Sequence, residues 1–154
     1  MRRTKESSAG LLVFRRNGPV EVLLAHPGGP FWARKDAGAW TIPKGLVEAG
    51  EELTAAARRE FTEETNLSAA GELIALPSVN QKSGKIVHAF AVEADLDLAG
   101  FASNSFEMEW PPKSGRRQSF PEIDRIAYFT LPIAKAKIIA YQLPLLDALE
   151  ARLR

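Results

Sequence analysis

Three glutamates within five residues constrain this chain more than any other feature. Glu60, Glu63 and Glu64 lie in the stretch Thr54 to Thr65, which reads as a helix. Thr54 is its expected N-cap, and Asn66 is able to take the left-handed conformation after the last turn. At about 100° per residue, the three carboxylates share one sector of the helix with Leu53, Ala56 and Ala57. Arg58, Thr62 and Ala55 take the solvent side. Like charges at the rim of an apolar face are costly unless a cation neutralises them. The fold therefore has to bury one side of this helix and leave its acidic edge facing a counter-charge. A hard divalent cation is the simplest one, and magnesium characteristically takes carboxylates together with substrate phosphates. A solvated acidic helix paired with nearby arginines is the alternative.

The remaining chain reads as one domain, 1–154, since 154 residues with 45% hydrophobic and 25% charged content suffice for a single core. With no cysteine, neither disulfides nor a thiolate metal site is available. The formal charge of +1 gives no overall footprint for a nucleic acid polymer or an anionic membrane, so anion affinity has to be local. The N-terminal apolar stretch Gly10 to Phe14 is too short for a signal-peptide core or a membrane span, and a cytoplasmic protein is expected. Strands are expected at Ala9 to Phe14 and Val20 to Ala25, then a long ordered loop from Phe31 to Gly45. A hairpin is expected from Leu73–Lys82 and Lys85–Glu93, with both faces of the second strand buried. Between Ala94 and Pro121 the pattern is weak, with a short strand around Phe106 to Trp110. A strand over Ile123–Phe129 follows, then helical pieces from Leu131 to Ala140 and from Pro144 to about Leu153. This schedule predicts the α/β class, an α/β/α sandwich around one mixed sheet.

Gly45, Glu51, Arg59, Glu60, Phe61, Glu63, Glu64 and Leu67 fit the spacing G-x5-E-x7-R-E-U-x-E-E-x-G-U, where U is a bulky apolar residue. In this the chain resembles the Nudix hydrolases. Asn66 stands where that pattern has its second glycine; if the glycine serves positive φ, asparagine is the least damaging replacement. The resemblance implies metal ligation by Glu60, Glu63 and Glu64, with the Gly45 carbonyl as a further ligand and Arg59 orienting Glu60. Glu51 would either help place a metal or hold the loop through hydrogen bonds. The implied cofactor is Mg2+, with Mn2+ as a substitute. The implied reaction is attack by a metal-activated water on a phosphoanhydride phosphorus, assisted by a general base drawn from Glu64, Glu107, Glu109 or Glu122.

The run Trp40-Thr41-Ile42-Pro43-Lys44-Gly45 bears on substrate. Many Nudix enzymes acting on nucleoside triphosphates have a second glycine where this chain has Lys44, whereas Pro-Lys-Gly resembles the diadenosine polyphosphate and diphosphoinositol branches. Lys44 would add a charge for an extra phosphate, with Lys113, Arg116 and Arg117 holding the far end. Trp32 and Trp40 are candidates for stacking a nucleobase, which favours a nucleoside end over an inositol ring. The expected partner is a small nucleotide, foremost a dinucleoside polyphosphate and next a nucleoside triphosphate, bound by a monomer or homodimer. A non-catalytic nucleotide-binding module on the same fold is the reading from another class. His26 and His88 are expected to be packed or hydrogen-bonded rather than catalytic.

Overall fold

The protein is described from a computed structural model over residues 6–154, so the basic start of the chain lies outside the described residues. Its first two strands, β1 (Ser7–Arg16) and β2 (Val20–Pro27), form an antiparallel hairpin around a turn in which Gly18 takes φ 75°. Then come β3 (Lys44–Leu46), α1 (Leu53–Thr65), β4 (Ile74–Ala75), β5 (Val79–Asn80) and β6 (Ile86–Glu93). The chain ends with β7 (Ser105–Glu109), β8 (Arg117–Pro121), β9 (Ile123–Thr130), α2 (Leu131–Lys137) and α3 (Leu143–Arg152). Seven strands make one sheet in the order β4-β6-β1-β2-β9, with β3 also on β1 and β5 on β6. β1 and β6 run parallel and the other pairs antiparallel, so the sheet is mixed as expected.

Alternation along β1 sorts two cores. Leu12 and Phe14 join Val87, Ala89 and Ala91 of β6 under α2 and α3, where Leu145, Leu146 and Leu149 are fully buried. Leu11 and Val13 face the other way, against Ala56, Ala57 and Phe61 of α1. This is the sandwich that the sequence predicts. Phe61 is wholly buried, and its removal to alanine would cost about 3–5 kcal/mol. No helix among the described residues is long and apolar enough to cross a membrane.

Several local expectations need correction. The segment 31–45 is not loop throughout: Thr41 bridges Ala25 of β2, Trp40 bridges Ile138, and the stretch ends in β3. The strand expected over Leu73–Lys82 is two short pieces, β4 and β5, with Pro77 between them unable to supply a ladder N–H. The weak segment before Pro121 hides β8, which pairs only with β7 and forms a separate two-stranded hairpin with its Arg, Gln and Ser side chains exposed. With no buried face, it leaves no alternation to read. The first C-terminal helix stops at Lys137, and a single 3-10 turn, Ala140–Gln142, precedes α3.

The splitting of β1 opens the functional region. Its end at Phe14–Arg16 pairs with β2, whereas its start at Ser8–Gly10 pairs with β3, so β2 and β3 diverge. Gly10 permits this, because a Cβ there would strike the Pro43 carbonyl and the Lys44 side chain, and Leu11 N donates to that carbonyl at 3.3 Å.

Candidate active site

α1 begins at Leu53 rather than beyond Thr54, and its N-cap position, Glu52, makes no side-chain capping bond. Its other end follows expectation: Asn66 takes φ 63° and ψ 14°, and its N–H closes on the Thr62 carbonyl. Thr65 ties off the same turn, donating its hydroxyl to Phe61 O and accepting from Leu67 N. The buried stripe is Ala56, Ala57, Phe61 and Thr65. Glu60 and Glu64 lie half-buried beside it, while Glu63 lies further out and is exposed. Arg58 also departs from the helical-wheel reading, since its guanidinium donates to the Ala69 and Gly71 carbonyls and fastens the loop after the helix.

Arg59 is the knot of the site. Its Nε and Nη2 hold the Glu51 carboxylate at 2.8 and 2.9 Å, while Nη1 reaches Glu60 at 2.8 Å and Glu63 at 3.1 Å. Nη2 also donates to Leu46 O at 3.0 Å, tying β3 to the helix. A planar fork of five donors allows one residue to make all these bonds, which lysine cannot reproduce. Glu51 also accepts from Glu48 N at 3.0 Å. Of its two expected roles the geometry matches loop fastening, and these bonds hold its carboxyl at about 2, well below the ordinary range.

Gly45 sits directly under Glu60: a Cβ there would overlap the Glu60 carboxylate. β3 and α1 thus approach so closely that the backbone of residue 45 and the carboxylate of residue 60 share one space, which only glycine allows. Across from them a cleft of about 120 Å³ is lined by Ala25, Pro27, Pro43, Lys44, Glu64 and Glu122, among others. Burial, then the neighbouring charges of Glu122 and Glu60, raise the Glu64 carboxyl to about 7. Burial likewise raises Glu60 against the opposing pull of Arg59. Lys44 is lowered, by burial first and by Lys85 next, while Glu64 and Glu60 favour its charge. The cleft is a crowd of carboxylates with one nearby ammonium.

That crowd fits a hard divalent cation. Among the described residues no three acidic or histidine side chains already stand as a closed ligand cage, because Glu60 and Glu63 each turn an oxygen to Arg59. The partly buried, mutually repelling carboxylates nevertheless form an all-oxygen donor set whose strain a cation would relieve.

The remaining expected site residues scatter. Trp40 is only 3% exposed, with its indole N–H on Asp36 at 2.7 Å and its ring edge-on to Phe129 and His26. It is a core anchor, and its assignment to base stacking is withdrawn, because a ring sealed on both faces offers none to a ligand. Trp32 is half-buried on the loop after β2. Lys113, Arg116 and Arg117 sit at the exposed end of the β7–β8 hairpin, and none lines the cleft. Glu107 pairs there with Arg117 at 3.8 Å, and Glu109 accepts from Lys113 N at 2.7 Å. Of the four general-base candidates, only Glu64 and Glu122 line the cleft. His26 is buried between Asp124 and the Lys35 carbonyl, a structural placement as expected. Sequence reading missed Asn104, whose carbonyl accepts from Glu122 N at 2.8 Å and whose side-chain amide donates to Glu63 O at 3.3 Å. No spacing rule links it to the helix 41 residues earlier.

The arrangement has counterparts. An RNA pyrophosphohydrolase of Caulobacter vibrioides is 44% identical over 54 residues, which is 32% of this chain and 31% of that protein, so the match spans under a third of that relative. The Ap4A hydrolase of C. elegans in a binary complex superposes with a TM-score of 0.65 at 24% identity, covering 95% of this chain and 97% of that one. The NUDIX domain of Shewanella oneidensis NrtR, complexed with ADP ribose, gives 0.68 at 15% identity, covering 99% and 91%. At these identities the structural likeness concerns the fold. The family model of the NUDIX domain matches residues 4–142, nearly the whole chain, and so includes the Arg59 knot, the Gly45–Glu60 contact and the acidic edge of α1: this chain belongs to the Nudix family.

Proposed function

We propose that the protein hydrolyses a phosphoanhydride bond in a nucleoside-linked substrate with the help of a divalent cation, Mg2+ foremost. The observation that carries this reading is the pairing of Glu64 and Glu122 in one small cleft with Lys44, where the nearby charge of Glu60 also bears on Glu64. A carboxyl raised to about 7, by burial first and then by the charges of Glu122 and Glu60, marks a place suited to added positive charge. Glu60, Glu63 and Glu64, with the Gly45 carbonyl, would hold the cation. When bound, it would lower the pKa of a water and offset charge on the phosphates. Arg59 holds Glu60 in place through the guanidinium fork. Lys44 brings a point charge to phosphate oxygens, and its partial burial strengthens that attraction. Glu64 or Glu122, both of which line the cleft, would take the proton from the attacking water.

The preferred substrate is a dinucleoside polyphosphate, with nucleoside triphosphates second. Lys44 in the Pro-Lys-Gly run supports this order, as does the shared fold with the C. elegans Ap4A hydrolase. Lys113, Arg116 and Arg117 would meet the far phosphates from the hairpin. The test is a product-resolved panel of diadenosine tetraphosphate, nucleoside triphosphates, nucleoside diphosphate sugars and diphosphoinositols at fixed magnesium. Diadenosine tetraphosphate should be cut at least about tenfold more efficiently than any triphosphate, with Lys44→Gly narrowing the gap. A triphosphate preference indifferent to Lys44→Gly would sink the substrate assignment, and binding without turnover of any member would sink the enzyme reading.

A further inference from the structure

The segment that leaves the cleft wall at Pro27 carries an aromatic shelf that the hydrolytic chemistry leaves unused. Pro27, in the cleft wall, runs into a segment bolted to the cleft's own Glu122: Gly28 N donates to Glu122 O at 2.9 Å. The two backbones touch there, since a Cβ on Gly28 would overlap the Pro121 carbonyl. One residue on, Gly29, at φ 94°, lies against the Phe106 ring of the β7–β8 hairpin. Phe31 and Trp32 follow, their rings meeting edge to face at 5.2 Å and 81°. The Lys35 ammonium sits 3.9 Å from the Phe31 ring centroid and 5.1 Å from that of Trp32.

This segment is held, not merely exposed. Trp32 N closes on Gly29 O at 3.3 Å, Lys35 N closes on Trp32 O at 2.9 Å, and the buried His26 ring bonds the Lys35 carbonyl. Phe31 nevertheless remains 64% exposed. A phenyl ring left outward costs the free energy that its burial would gain. Here a pinned turn holds the ring in that position, with the Lys35 ammonium close to it and most of its surface in solvent. Four residues from Pro27, the ring's backbone lies no more than about 14 Å from the cleft wall even at full extension.

We propose that Phe31, backed by Lys35 and braced by Trp32, is the platform on which the nucleobase of the substrate stacks while its phosphates lie in the cleft of Lys44, Glu64 and Glu122. The proposal rests on the phosphoanhydride reading for where the phosphates lie. It moves base recognition from Trp40, which is sealed, and from Trp32, whose ring serves as the brace, to the one ring of the three that is held open. A nucleobase suits this shelf because stacking needs only a π-face, and Lys35 adds positive charge on the same turn. A mononucleotide, a dinucleoside polyphosphate and the 5′ end of an RNA all present that base.

Equilibrium binding of ADP and of inorganic pyrophosphate to the full chain in EDTA, followed by calorimetry, tests the platform without turnover. The wild type should prefer ADP. Phe31→Ala and Phe31→Leu should each weaken ADP by about tenfold and leave pyrophosphate unchanged, whereas Phe31→Trp should stay within about threefold of wild type. Any of four results overturns the proposal: no wild-type preference for ADP, an unchanged Phe31→Ala, a Phe31→Leu that binds like Phe31→Trp, or an equal loss of pyrophosphate. Repeating the series with diadenosine tetraphosphate and a 5′-triphosphorylated dinucleotide identifies the source by the larger Phe31→Ala loss, and equal losses mark a platform shared by both. A wild type that shows the ADP pattern but hydrolyses nothing keeps the platform and ends the hydrolase reading, so the two failures are separable.

Discussion

Two charged regions of the molecule are built in opposite ways. Around α1, one guanidinium holds three carboxylates and a strand carbonyl, and its partners all lie within 13 positions of Arg59. On the β7–β8 hairpin, Lys113, Arg116 and Arg117 stand on a two-stranded ribbon outside the main sheet, and their recorded acidic contacts stay within the ribbon. The first region trades mobility for fixed geometry, as a group of repelling acids requires. The second keeps side chains free at a ribbon's end, where surface ion pairs add little to stability. Substitutions in the first should therefore change the chemistry or the pH dependence of stability, whereas those in the second should change only how a long substrate is gripped.

The largest expected effect is chemical. Glu60→Gln and Glu64→Gln preserve side-chain shape but remove charge, so each should lower turnover with magnesium by roughly a hundredfold or more while the thermal midpoint holds or rises. Relief of the cost of burying the Glu64 charge, and then of its repulsion by Glu122 and Glu60, accounts for the rise. Turnover within about threefold of wild type in both variants would remove the metal assignment.

Next comes the end of the helix. Asn66→Val places a β-branched residue at φ 63° and should cost about 1–2 kcal/mol, a fall of several degrees in the melting midpoint, while Asn66→Gly should melt at or slightly above wild type. Equal midpoints for valine and asparagine would show that left-handed geometry is not what this position demands.

A smaller effect is set by pH. Arg59 and Glu48 N hold the Glu51 carboxyl at about 2, below its ordinary 4.5, so the folded state binds fewer protons than the unfolded state between those values. The stabilisation is complete above the ordinary value and drains away as the pH falls towards 2. Melting curves should therefore decline more steeply from pH 5 to 2.5 for wild type than for Glu51→Gln, and parallel declines would contradict the fastening role. Smallest of all, Arg116→Ser on the hairpin should shift stability by less than about 0.5 kcal/mol and raise KM for diadenosine tetraphosphate more than for a triphosphate. A clear loss of stability would mean that the ribbon is not the independent arm described here.

The elements that were legible in sequence are those whose geometry repeats over short distances. α1 and its left-handed end at Asn66 follow from local spacing, the Arg59–Glu60 pairing was implied by the family resemblance, and β6 announces itself by apolar residues on both faces. β8 was not legible because it buries almost nothing, and Trp40 misled because a tryptophan in a turn-rich stretch carries no mark of which side faces water. Glu122 was only one of four candidate bases until the fold brought it beside Glu64, 58 positions earlier, with Asn104 bonded to its backbone.

The sequence by itself determined that three acids would share one edge of a helix, because helical periodicity is local, while the parts of Gly45 and Arg59 were implied by the family resemblance. Only the tertiary structure decided which aromatic ring remained open to a ligand and which distant carboxylate and lysine closed the cleft. Those outcomes depend on how β2, with β9 paired along it, separates from β3 around the split pairing of β1, and strand pairing across long stretches of chain leaves no periodic trace in the residues that it brings together.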